Sequence, residues 1–178
     1  MRSNSLRALS NAVNPNLPSI VQPPPPPDFI IEQIHSEDGR LLALIVSHRF
    51  DKPGITFFTS GELSQQLAYM RHPAGTIIEP HVHNPVAREV HYTQEALLIK
   101  RGKLRFDFYS QQREYIQSRI LESGDVILLV EGGHGFEVIE ELEMFEVKQG
   151  PYVGDQDKSR FISKPPSSFR FSKHQSCE

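Results

Sequence analysis

Between Asp28 and Gly150 the chain is a succession of short apolar or alternating segments cut by turn formers. That texture leaves few architectures open. The segments are 29–35, 41–47, 55–59, 65–72, 95–101, 103–109, 115–121, 125–130, 135–139 and 142–149. Between many of them stand Asp38-Gly39, Pro53-Gly54, Ser60-Gly61, Pro73-Ala74-Gly75, Gly102, Ser123-Gly124 and Gly132-Gly133. Many short strands at such spacing predict an all-β sandwich or barrel. The stretch 103–109 is the clearest case: Leu104, Phe106 and Phe108 point one way, Arg105, Asp107 and Tyr109 the other. Period-two alternation with one apolar face is the signature of a half-buried strand. No long helical period competes with it.

The flanks differ in composition. Residues 1–27 contain no acid and end in the run Pro23 to Pro27, a stiff spacer without backbone donors. They read as a flexible Pro-rich leader, with a transit peptide as the alternative. The predicted organisation is this leader, a β-barrel domain over 28–150, and a polar tail over 151–178. In the tail, Phe161, Phe169 and Phe171 could tack the chain onto the barrel or a partner.

Net charge of −3 argues against binding nucleic acid through bulk charge. No apolar run approaches the ~18 residues of a spanning helix, so no membrane partner is expected. The lone cysteine, Cys177, cannot close an internal disulfide, so nothing calls for an oxidising compartment and a cytoplasmic protein is expected.

Chemistry-bearing residues concentrate after Gly75. In Gly75-Thr-Ile-Ile-Glu-Pro-His81-Val-His83 the two histidines share parity, and on a strand they would face the same way, about 6–7 Å apart. Neutral imidazoles so placed can grip a divalent transition metal. Glu79 shares their parity. Glu95 opens the apolar run Ala-Leu-Leu-Ile, a costly place for a carboxylate unless it is paired or metal-bound. Gly102 is expected to make the turn into 103–109. His134 follows a glycine turn, shares parity with Phe136 and Val138, and is expected to face inward. Taken singly, each of these residues is more readily an exposed or structural side chain than a ligand.

At these positions the sequence resembles the cupin superfamily. The first cupin motif is Gly, five residues, His-x-His, a short gap, Glu, six residues, Gly. Gly75, His81, His83, Glu95 and Gly102 match both ends, with eleven residues between His83 and Glu95 where three or four are usual. The second motif is represented by Gly124, Gly132 and His134. Val130 replaces its proline, the last spacing is one residue short, and its asparagine is absent. The resemblance spans roughly 65–147. It implies a double-stranded β-helix (a jelly-roll or cupin barrel) holding one divalent metal (Fe, Mn, Zn or Ni) through His81, His83, Glu95 and His134. Glu89 is the rival carboxylate, but no glycine follows it at the motif's distance.

The resemblance also implies function. Three imidazoles and one carboxylate leave a coordination position open, as in catalytic rather than structural sites. The expected activity is that of a small metal-dependent enzyme on a polar, oxygen-rich small molecule. A sugar or sugar-derivative isomerase or epimerase stands slightly ahead of a dioxygenase or decarboxylase. The inserted loop, 84–94, supplies Arg88, Glu89, His91, Tyr92 and Gln94 as substrate-facing candidates; Glu89, His91 and Tyr92 are the candidate catalytic bases. A non-catalytic ligand-binding or sensor barrel is the alternative of another class, and a barrel that has lost chemistry a third. A homodimer joined through exposed sheet edges is expected.

Overall fold

A computed structural model describes residues 30–162. The Pro-rich leader, the boundary placed at Asp28, and Phe169, Phe171 and Cys177 lie outside the described residues.

The described chain is all-β apart from one short 3-10 turn, Gly154–Gln156. None of its helices is long and apolar enough to cross a membrane. The strands are β1 (Ile31–His35), β2 (Leu41–Val46), β3 (Gly54–Phe57), β4 (Ala68–Arg71), β5 (Glu95–Tyr109), β6 (Tyr115–Glu122), β7 (Val126–Leu129) and β8 (Gly133–Lys148). β3 and β4 form a separate hairpin; the other six build one antiparallel sheet in the order β1-β2-β7-β5-β6, with β8 on the remaining edge of β5. β5 is its spine. One edge takes β7 along Glu95–Leu98 and β6 along Lys103–Tyr109, and β8 runs down the whole of the other.

Two sequence expectations change here. The segments 95–101 and 103–109 are a single strand, and so are 135–139 and 142–149. Gly102 therefore makes no turn. It sits inside β5 at a φ of 92°, among three register shifts against β8. These β-bulges exchange the two faces. Leu97 and Ile99 face the core on odd numbers before Gly102, and Leu104, Phe106 and Phe108 on even numbers after it. Lys100, Arg101 and Lys103 consequently lie on the strand. Lys100 and Arg101 pair with Glu143, Arg101 also with Glu141, and Lys103 with Glu140.

The same bulges bend the sheet. From Glu95 to Phe108 a straight strand would run about 43 Å at ~3.3 Å per residue. Yet the Glu95 carboxylate lies 3.4 Å from the ring of His134, the β8 partner of Phe108. The sheet thus curls into a half-barrel whose concave face carries the core: Ile34, Ala43, Ile45, Leu97, Ile99, Leu104, Phe106, Phe108, Leu121 and Ile127. Outside the curl, Arg105 and Asp107 form a buried ion pair through two hydrogen bonds of 2.9 and 3.0 Å. Phe161 packs edge-on against Tyr109 with centroids 5.2 Å apart, tacking the start of the tail to the end of β5.

Candidate metal centre

Glu95 and His134 reach one another because both stand on the concave face, at opposite ends of the curl. Glu95 is the first residue of β5, on the same face as Leu97 and Ile99. His134 is the second residue of β8 and stacks on Phe106, which fixes its ring plane. The Glu95 Oε2 to His134 Nε2 separation is 3.4 Å, with side-chain exposures of 14% and 36%. Two donors about 2.1 Å from a tetrahedral cation stand about 3.4 Å apart, so this pair is spaced as two neighbouring ligands of one ion would be. The half-buried carboxyl of Glu95 is held below its usual range, first by its hydrogen bond with His134 and then by the charges of His134, Lys148 and Lys158, against the opposing effect of burial.

One residue at this mouth escaped the sequence reading. Lys148, the register partner of Glu95, brings its ammonium 3.7 Å from the other Glu95 oxygen and 2.6 Å from Asp157. The hydrogen bond to Asp157 raises the Lys148 pKa, and the charges of Asp157, Glu95 and Glu146 add to it. Only the β5–β8 register reveals the closeness of Lys148 to Glu95, and no local motif signals it. Gln94, one of the substrate-facing candidates of the 84–94 loop, is buried and serves as a clamp at the entrance to β5. Its side-chain oxygen accepts the Gln65 backbone N–H, its own N–H donates to the Gln149 side chain, and its carbonyl accepts from Gln65 Nε2 and the Gln149 N–H.

His81 and His83 are not on a strand. The stretch from Thr76 to His91 has no regular secondary structure. Pro80 and Pro85 explain why, since each removes a ladder donor from the stretch that was read as a strand. The rings of His81 and His83 nevertheless meet, with centroids 5.2 Å apart. His81 Nδ1 lies 3.1 Å from the Glu79 carbonyl; in the tautomer that donates there, Nε2 keeps a free lone pair. Among the described residues no three His, Cys, Asp or Glu side chains converge on a common point. The structure therefore assembles the four expected ligands as two pairs: Glu95 with His134, and His81 with His83. Glu89 and His91 approach each other at 3.8 Å, both well exposed, and Tyr92 is half exposed. None of these three makes an ion pair or hydrogen bond with Glu95 or His134.

The donor chemistry of the two pairs suits a divalent transition metal: imidazole and carboxylate, one imidazole oriented by a carbonyl and one by stacking. Compared with protein-family models, with curated proteins and with solved structures, the chain matches none.

Proposed function

We propose that this chain is a small metal-dependent enzyme built on a cupin-type double-stranded β-helix, taking a polar, oxygen-rich small molecule as substrate. One observation carries the reading. Glu95 and His134, 39 positions apart by their numbers, stand 3.4 Å from each other on the concave face of a curled sheet. His81 and His83 would complete the ligand set from the 76–91 stretch. A bound divalent ion would supply Lewis acidity toward a carbonyl or hydroxyl oxygen at its open position. The chain's own groups would do the rest. Glu95 and His134 would fix the ion against the sheet, and Glu89, His91 or Tyr92, carried by the same stretch as the two histidines, would move a proton. A sugar or sugar-derivative isomerase or epimerase is the preferred activity within this class. A homodimer belongs to the same proposal: β8 pairs only with β5 among the described residues, and Phe145 and Val147 beside its free edge are exposed.

Elemental analysis of untagged protein tests the reading. Protein from cultures supplied with Mn, Fe, Ni and Zn should carry close to one divalent ion per chain. The ion should be lost in a His81→Ala, His83→Ala double variant and in Glu95→Gln. Metal-free wild-type protein, or equal metal in wild type and both variants, refutes it. Turnover of phosphorylated and free sugars by the loaded protein then separates an enzyme from a ligand-binding barrel.

A further inference from the structure

We infer that the open concave face of β8 is the seat of residues 76–90 of the same chain, and that capture of a divalent ion by His81 and His83 draws that segment onto it. The inference rests on the metal-site reading above and deepens it, by making the site something the ion assembles.

The first observation is an apolar face without a cover. Phe136 and Val138 lie on the same face of β8 as His134, directly opposite Phe106 and Leu104. Those two partners are fully buried, yet Phe136 is 46% exposed and Val138 51%. Side chains aligned with the core but open to water mark a barrel lacking one wall. The wall begins at the Glu95–His134 pair, since His134 and Phe136 both stack on Phe106.

The second observation is an apolar segment without a seat. Ile77, Ile78, Val82, Val86 and Val90 are all exposed, at 86%, 61%, 84%, 61% and 45%. A single exposed aliphatic residue is ordinary. Five of them interleaved with the histidine pair, on a stretch with no ladder of its own, is the composition of a segment that packs. Its ends suit the movement. At one end it runs directly into the Gln94 clamp and Glu95, so its distance from the site is limited by its own length. From Glu95 back to His83 the extended chain reaches about 40 Å, ample for either histidine to meet His134. At the other end stands Gly75, at a φ of 86° and with nothing within 4 Å of where a Cβ would be, a point about which the chain can turn. Pro80 and Pro85 limit the conformations the free segment samples and so lower the entropy lost on seating it.

The balance explains why the ion is needed. Fixing about fifteen residues costs more conformational entropy than burying a few half-exposed side chains returns. Imidazole–metal bonds supply the difference, as in other sites where metal binding and chain ordering are one event.

Trypsin reads the segment in the full-length protein. Arg88 is the sole Lys or Arg between Arg71 and Lys100, so cleavage after it reports on this stretch, and cleavage after Arg113, in the β5–β6 turn, serves as the internal reference. In wild type, Zn2+ or Mn2+ should slow cleavage at Arg88 at least tenfold relative to EDTA, with Arg113 unchanged. An Ile77→Ser, Ile78→Ser variant keeps all four ligands and alters only exposed side chains. It should melt at the wild-type temperature in EDTA and lose most of the protection. Phe136→Ser, which also removes the ring stacked on Phe106 and so lowers the melting temperature somewhat, should likewise lose most of the protection when compared with its own EDTA control. If wild type binds one ion per chain and Arg88 is cut as fast as in EDTA, the inference is overturned while the metal site stands. If no ion binds, the metal-site reading falls and takes the inference with it. Protection that grows with protein concentration, together with dimer formation, means that a second copy covers the face, and also overturns it.

Discussion

Replacing Gly102 with alanine probes the bend on which the candidate site depends. At φ 92° the backbone is in a region that a residue with a Cβ enters at a penalty of about 1–2 kcal/mol. The added carbon would lie 2.0 Å from the Glu141 carbonyl oxygen, 2.8 Å from its carbon and 3.0 Å from Leu142 Cα. All three are main-chain atoms of the paired strand, so no side chain can swing aside. β5 and β8 must separate by more than an ångström at this point, a forced overpacking worth about 1–3 kcal/mol. Together the two effects give a loss of about 3 kcal/mol. With an m-value of about 2 kcal/mol/M, the urea midpoint should fall by about 1.5 M. Gly135→Ala is the matched control: it lies on β8, has no unusual φ, and its Cβ would meet nothing within 4 Å. It should stay within about 1 kcal/mol of wild type. If Gly102→Ala loses less than about 1 kcal/mol, or no more than Gly135→Ala, then the bend does not require glycine and the account of the curl is wrong.

Two further outcomes follow from the charged groups. Asp107→Ala leaves Arg105, 4% exposed, without its two-pronged partner and strips Ser118 of an acceptor; Glu137 compensates only in part, so about 3 kcal/mol should be lost in urea unfolding. Replacing both members, Arg105→Met with Asp107→Leu, should cost distinctly less, and an equal or larger loss would contradict the reading of the pair as a structural unit. Glu95 supplies the pH dependence. Its carboxyl is held below its usual range in the folded protein, so its contribution is present above the ordinary glutamate range and disappears as pH falls through that range and below. In EDTA, thermal melts of wild type should therefore decline more steeply on the acid side than those of Glu95→Gln. Parallel acid limbs would show that the His134 contact contributes nothing to stability.

Much of the strand pattern was legible from residue order. Period-two alternation located the C-terminal half of β5 and its buried set, and turn formers bracketed β1, β2, β6 and β7 closely. Glu95 at the head of a greasy strand, and His134 in step with Phe136 and Val138, were readable as inward-facing. The misreadings share a physical origin: local signals do not say how far a ladder continues. Gly102 has the composition of a turn, but β8 lies alongside and supplies partners on both sides of it, so a bulge forms and the strand goes on. The clue was present in the switch of apolar parity across Gly102, which a bulge produces. At His81 and His83 the error ran the other way. Motif spacing favoured a strand while Pro80 and Pro85 removed donors from it. Lys148 was invisible because its closeness to Glu95 exists only in the paired register.

The position of β8 in the chain bears on how the protein is made. Among the described residues this strand is the last of the sheet, yet it fills one entire side of β5. A nascent polypeptide emerging from the ribosome therefore presents β5 with half its hydrogen-bonding partners still unsynthesised, and with Leu97, Ile99 and Phe106 short of their final neighbours. During that interval an open strand side can recruit any extended polypeptide nearby. Chains cut short before Lys148 should accumulate as aggregates, whereas those ending just beyond it should remain dispersed.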